Sequence, residues 1–211
     1  GVKNPDFIYV DCIFWHLFNS IDFSKEEAEQ ETAKPYVYTT CIGDLQKEKT
    51  KRGSTESISS HEEGEYYLLK LGKLLDFLSY TVDGSTMYKG KPLKEYAVLQ
   101  ELPDFTGQRD KNSAREIDVI WFGEDENPKY CLEVEHNTDI TKGLVRLHQL
   151  VQFDMTSVIV SSEDKRSKFE IEINKSPYRK LKDRYKFISY DELIELCDSA
   201  EKFINLKNKL L

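Results

Sequence analysis

The sequence is short of the features that would fix its class at a glance. Its four cysteines, Cys12, Cys41, Cys131 and Cys197, lie far apart with no CxxC pair, so neither a disulfide framework nor a zinc site is indicated. No apolar run approaches the roughly 18 residues needed to cross a bilayer. No basic-then-apolar leader with a small-residue cleavage site opens the chain. The expectation is a soluble protein of the reducing cytoplasm with no membrane partner. Nothing resembles a Gly-rich phosphate loop, no spacing supports a Ser/His/Asp or Cys/His nucleophile, and there is no internal repeat or low-complexity tract. Basic excess is missing as well: the formal net charge is -8, which argues against an extended phosphate-binding footprint. The chain starts at Gly1, so a domain drawn from a larger protein is expected.

What is present fits one ordinary globular domain with a small appended segment. The 211 residues are 39% hydrophobic and 12% aromatic, enough to build a core without staples. Charge is unevenly spread: residues 165–186 hold nine Lys or Arg against three acids. That run reads either as a solvated helix surface or as a phosphate-facing patch containing Lys165, Arg166 and Lys168.

Two regions follow from the patterning. Near the N-terminus, Asn4-Pro5-Asp6 and the pair Ser24 and Glu27 have the form of helix starts. "FIYVDCIFWHLF" suits a helix or a strand, and "DLQKEKTKRGSTESISS" reads as a loop. This places a division at residues 57 and 58, with a helical or irregular extension before it. After it, Ser60 and Glu63 form a capping box, with Tyr67, Leu68, Leu71, Leu74, Leu75 and Leu78 at helical spacing. "FLSYTV" is a strand, and "EYAVLQ" is a strand or a short helix. "EIDVIWF" and "YCLEVE", joined by "GEDENP", form a hairpin. Thr138 then caps a helix with a stripe of Leu144, Leu147, Leu150 and Val151. "SVIV" completes a parallel crossover. A further helix, the strand "KFIS" and a last helix capped by Ser189 with Glu192 end the chain.

The hairpin carries the chemistry. Side chains alternate across a strand, so Glu133 and Glu135 share one face with Cys131, while Glu116, Asp118 and Ile120 share one face of the preceding strand. A hairpin symmetric about "GEDENP" sets Asp118 opposite Glu133 and Glu116 opposite Glu135. Carboxylates opposed at about 5 Å repel or take up protons. A hard divalent cation is the natural compensation. The competing reading is acids on the wet face of a half-exposed hairpin, or a register slipped by one residue. The neighbours Ile120 and Cys131 are apolar and helices flank the strands, which weighs against the wet face.

The order αβββαβ, the Asp118 strand, the Glu133-Val134-Glu135 strand and the helix after it resemble the PD-(D/E)xK nuclease superfamily, the restriction-endonuclease-like fold, over about residues 60–161. The resemblance implies an α/β core with a mixed sheet flanked by helices. It assigns Mg²⁺, with Mn²⁺ as substitute, to Asp118, Glu133 and the main-chain carbonyl of Val134, with Glu116 as an accessory ligand. In the family's third position Glu135 replaces Lys, where it would orient water or a second ion, and no Pro precedes the Glu116-Ile117-Asp118 triplet. One of the helix acids Glu62, Glu63 and Glu65 would reach the site, as a helical Glu does in some members, or these acids serve only the helix N-terminus. Lys142, Arg146 and Gln149, off the apolar stripe of the following helix, would contact nucleic acid or form a solvated face. His136 and His148 read as structural.

The implied function is a metal-dependent endonuclease hydrolysing phosphodiester bonds, in DNA ahead of RNA, serving restriction, defence or repair. Homodimers are common in the family because each protomer cuts one strand. Two other readings stay open: a nuclease-fold module that binds nucleic acid or a partner protein without cutting, suggested by the missing Lys, and an acidic scaffold domain.

Overall fold

In the computed structural model the described residues are 58–136 and 139–210. The expected helix starts at Asn4 and Ser24, the "FIYVDCIFWHLF" segment, the extension over residues 1–57 and the Thr138 cap all lie outside them.

The first described helix, α1 (His61–Leu74), starts at Ser60, whose hydroxyl accepts from the Glu63 N–H at 3.2 Å. The reciprocal bond is displaced by one residue, with the Glu63 carboxylate accepting from the N–H of Ser59 at 2.8 Å. Gly64, Glu65, Leu68, Leu69, Leu71 and Gly72 are buried. Leu78, expected on the helical stripe, lies instead in β1 (Leu78–Thr81), because Asp76 takes a φ of 59° that ends the helical path.

A two-residue hairpin, β2 (Met87–Tyr88) and β3 (Lys91–Pro92), follows. "EYAVLQ" is not a strand: a single 3-10 turn, Leu93–Glu95, leads into it. Helix α2 (Gln108–Ala114) precedes β4 (Val119–Phe122) and β5 (Pro128–Val134). The antiparallel register pairs Val119 with Leu132, Ile120 with Cys131 and Trp121 with Tyr130, and shifts only at Phe122, beside the turn. Continued by one residue, this is the register that sets Asp118 opposite Glu133. The ladder does not extend to Glu116, which is exposed in the turn after α2 and has no cross-strand position opposite Glu135. Its main-chain N–H is taken by the Ser113 carbonyl, which holds it out of the strand.

Helix α3 (Ile140–His148) is capped by Asp139, whose carboxylate accepts from the Thr141 N–H at 3.0 Å. It returns the chain to β6 (Thr156–Ser161), parallel to β5. Helix α4 (Arg166–Ile173) leads to β7 (Tyr185–Ser189), parallel to β6. Helix α5 (Tyr190–Leu210) opens with the expected box: the Ser189 N–H donates to Glu192 at 2.7 Å, and the Glu192 N–H donates to Ser189 Oγ at 3.2 Å.

The main sheet runs β1-β4-β5-β6-β7, antiparallel among its first three strands and parallel thereafter. Helices α1 and α5 pack together against one face, where Trp121 and Val134 lie against Gly72 and Gly64. Helix α3 covers the other face, its Leu144, Leu147 and following Leu150 joining Ile120, Cys131 and Ile159 in the core. This is the mixed α/β architecture with an αβββαβ core expected from the sequence, compatible with a restriction-endonuclease-like fold. Among the described residues no helix is long and apolar enough to cross a membrane.

Candidate functional site

Three carboxylates gather where β4 begins and β5 ends. Glu133 and Glu135 are 0% exposed and Asp118 is 5% exposed. Four buried residues make up β4, and the paired end of β5 is buried as well, so the wet-face reading of this hairpin fails. The acids sit in the protein interior, between the sheet and its covering helices.

Each acid is held by its neighbours. Asp118 Oδ2 accepts the main-chain N–H of Val134 at 2.8 Å, a cross-strand bond that stands in for the next rung of the ladder. Glu133 Oε2 is in direct contact with the Arg146 guanidinium, and Glu135 Oε1 accepts from the same Arg146 nitrogen at 3.2 Å. Glu133 Oε1 is buried without a hydrogen-bond partner among the described residues. The Glu135 N–H donates to the Val160 carbonyl at 2.8 Å, and its own carbonyl accepts from Ser161 Oγ at 2.6 Å and from Lys165 Nζ at 2.9 Å. Lys165 also donates to the His136 carbonyl at 2.9 Å. The residues just past β5 are thereby fastened to the end of β6.

Helix α3 approaches this cluster closely because it carries glycine at 143. A Cβ there would stand 2.5 Å from Glu135 Oε1 and 2.9 Å from Ile159 Cδ1. The small residue leaves room for a carboxylate between helix and sheet.

The electrostatics are strained. Burial, then repulsion from Asp118, raises Glu133 to about 10 against the pull of Arg146. Burial also raises Asp118 and Glu135. One guanidinium faces three carboxyls, and the cluster is short of positive charge.

A second group borders the first through Asp118. His61 Nε2 lies 3.0 Å from Glu65 Oε1 and 3.6 Å from Asp118 Oδ2. Ligand atoms of His61, Glu65, Asp83 and Asp118 all lie within 4.8 Å of one another. Contact with Glu65, opposed by burial and aided by the charge of Asp118, lifts His61 to about 9. Burial lifts Glu65 to about 7 despite His61.

The residues singled out from the sequence therefore divide. Asp118, Glu133, Val134, Glu135 and Arg146 come together. Lys165 reaches the same place through main-chain carbonyls. Glu116 does not. Lys142 and Gln149 are exposed on or beside α3, while Arg146 turns to the acids. Arg166 is engaged by Glu163 at 2.6 Å and by Glu192 at 2.6 Å, and Lys168 by Asp139 at 2.7 Å. Of the α1 acids, Glu65 joins the cluster, whereas Glu63 binds Ser59 and the Tyr88 hydroxyl. His136 pairs with Tyr190 at 3.2 Å and His148 with Tyr185 at 2.6 Å. His61 and Asp83 were not apparent from sequence. The one signal was that His61 and Glu65 stand four apart on a helix, on one face.

Comparison with known proteins gives this arrangement a family. Residues 42–211 match the family described as the type II restriction enzyme NmeDI C-terminal domain. A stretch of 91 residues is 32% identical to the type II restriction enzyme NmeDI of Neisseria meningitidis serogroup C, covering 40% of this chain. The chain thus spans about a quarter of that relative, 26% of its length. No solved structure matches. With the family match covering most of the sequence, the chain belongs to the NmeDI C-terminal domain family of type II restriction enzymes.

Proposed function

We propose that this chain is the cutting part of a DNA restriction endonuclease and hydrolyses phosphodiester bonds with a PD-(D/E)xK-type site in which Glu135 stands in the place of the motif Lys. The observation that carries the proposal is the buried trio Asp118, Glu133 and Glu135 at the junction of β4 and β5, short of positive charge and with Glu133 Oε1 lacking a hydrogen-bond partner. A hard cation fits such a donor set: oxygen ligands, carboxylates from adjacent strands and an orphaned buried oxygen. Asp118, Glu133 and the Val134 carbonyl would hold Mg²⁺, or Mn²⁺ in its place. Such an ion neutralises phosphate charge and lowers the pKa of water.

The chain's own groups do the rest. Burial keeps the Glu135 carboxyl above its ordinary value, which brings it nearer the range where a base works at neutral pH, so it accepts the proton of the attacking water. Arg146 bridges Glu133 and Glu135, fixing their separation and offering its remaining donors to a phosphate oxygen. Asp118 is fixed through the Val134 N–H, so its free oxygen has a defined place. Lys165 holds the main chain at Glu135 and His136 and acts as a positioning residue.

A second reading has a specific observation behind it. Arg146 already occupies Glu133 and Glu135, and a domain so neutralised binds DNA without cutting it. Incubation of supercoiled plasmid, single-stranded DNA and RNA with the chain in Mg²⁺, Mn²⁺ or chelator separates the two. Metal-dependent nicking of plasmid is expected. Salt-sensitive DNA binding with no cleavage under any of these conditions would support the binding module instead.

A further inference from the structure

We propose that His61, Glu65 and Asp83, with Asp118 shared, form a second cation site that takes a divalent first-row transition ion through an imidazole nitrogen. It goes beyond the endonuclease reading and rests on it only in sharing Asp118.

The donors come from three places in the fold. His61 and Glu65 are four apart on α1 and share its face. Asp83 follows β1, and its N–H is held by Thr81 Oγ1 at 3.1 Å. Asp118 leads into β4. Their ligand atoms lie within 4.8 Å of one another, the spread of donors around a single ion.

An independent observation concerns Glu65. Its carboxyl is 0% exposed, and its Oε1 has no hydrogen-bond partner among the described residues, the approach of His61 at 3.0 Å being an ion-pair distance without hydrogen-bond alignment. Oε2 receives only a long bond of 3.4 Å from Thr81. A buried carboxylate left in this state is costly. Three carboxyl groups surround one imidazole, and even a protonated His61 supplies a single charge. A divalent ion supplies two, satisfies Glu65 Oε1 and uses the His61 nitrogen as a ligand. Mg²⁺ favours oxygen donors and its own waters, whereas imidazole suits the transition metals. Mixed nitrogen and oxygen donors distinguish this site from the all-oxygen one formed by Asp118, Glu133 and Val134.

The test is pulsed electron paramagnetic resonance of Mn²⁺ bound to the whole chain. Hyperfine coupling from an imidazole ¹⁴N is expected in the wild type. It should persist in Glu133→Ala and in His136→Gln, and vanish in His61→Gln, which should also bind one Mn²⁺ fewer by calorimetry. No ¹⁴N coupling in the wild type, or coupling retained in folded His61→Gln, overturns the proposal. Should His61→Gln fail to fold, loss of coupling in His136→Gln overturns it and retention there supports it. Plasmid nicking is scored separately, so a chain that shows the coupling but never cuts DNA refutes the endonuclease reading and leaves this site standing.

Discussion

Replacing Arg146 with alanine should cost the fold about 3 kcal/mol at neutral pH when divalent metal is removed. Glu133 and Glu135 are both 0% exposed, and a single Arg146 nitrogen contacts both. Removing one partner of a buried ion pair costs roughly 3–5 kcal/mol, because the remaining charge has lost both water and partner. The lower end applies here, since the Arg146 side chain is 34% exposed and water can enter the vacated space. The carboxyls also have an escape, which is to bind protons. That escape sets a pH dependence. Glu133 is raised in the folded state from 4.5 to about 10, so the folded chain binds the proton more tightly than the unfolded chain. Its contribution to stability is complete below the ordinary carboxylate range and is lost as pH rises through the folded value. Loss of Arg146 steepens this fall, so the penalty should be small near pH 5 and grow towards pH 8. Urea denaturation of wild type and Arg146→Ala in chelator, across that range, measures it. The double variant Arg146→Ala with Glu133→Gln should regain much of the loss, and millimolar Mg²⁺ should do the same for the single variant. A difference below about 1 kcal/mol at pH 8 in chelator, the size of an exposed pair, would falsify the view that Arg146 compensates these carboxylates.

Two further outcomes follow from local geometry. Gly143→Ala places a Cβ 2.5 Å from Glu135 Oε1 and 2.9 Å from Ile159 Cδ1; overpacking of this kind costs about 1–3 kcal/mol, and nicking should fall more than stability does because Glu135 is displaced, as parallel melting and cleavage assays would show. Ser189→Ala removes the acceptor for the Glu192 N–H and should lower stability by about 1 kcal/mol with cleavage unchanged at a temperature where the chain remains folded; a drop in activity without a drop in stability would refute a purely structural role.

Much of the core was legible in the sequence because period and register are local properties. The alternation in "EIDVIWF" and "YCLEVE", with a turn between them, was enough to give the pairing that the structure shows through Val119 and Leu132. The parallel crossover followed from the apolar stripe of α3 and the short run before Ser161. What the pattern could not reveal was where the ladder stops. Glu116 has the right parity to face Glu135, yet a main-chain bond to Ser113 diverts it two residues before Asp118. Nor could spacing show which cations are already engaged. Arg166 and Lys168 belong to a basic run, but Glu163, Glu192 and Asp139, distant or near in sequence, come to meet them. His61 was hidden for the same reason: its neighbours Asp83 and Asp118 are brought to it by the strands, a contact that no single periodic segment encodes.

The most direct test of the buried carboxylates as a phosphodiester-cutting site is nicking of supercoiled plasmid in Mg²⁺ by the wild-type chain and by Glu133→Gln, each first shown to be folded. The site described here requires nicking by the wild type, none in chelator and none by the variant. Equal nicking by both proteins would place the chemistry elsewhere, and no nicking by the folded wild type would leave this carboxylate cluster without a catalytic role.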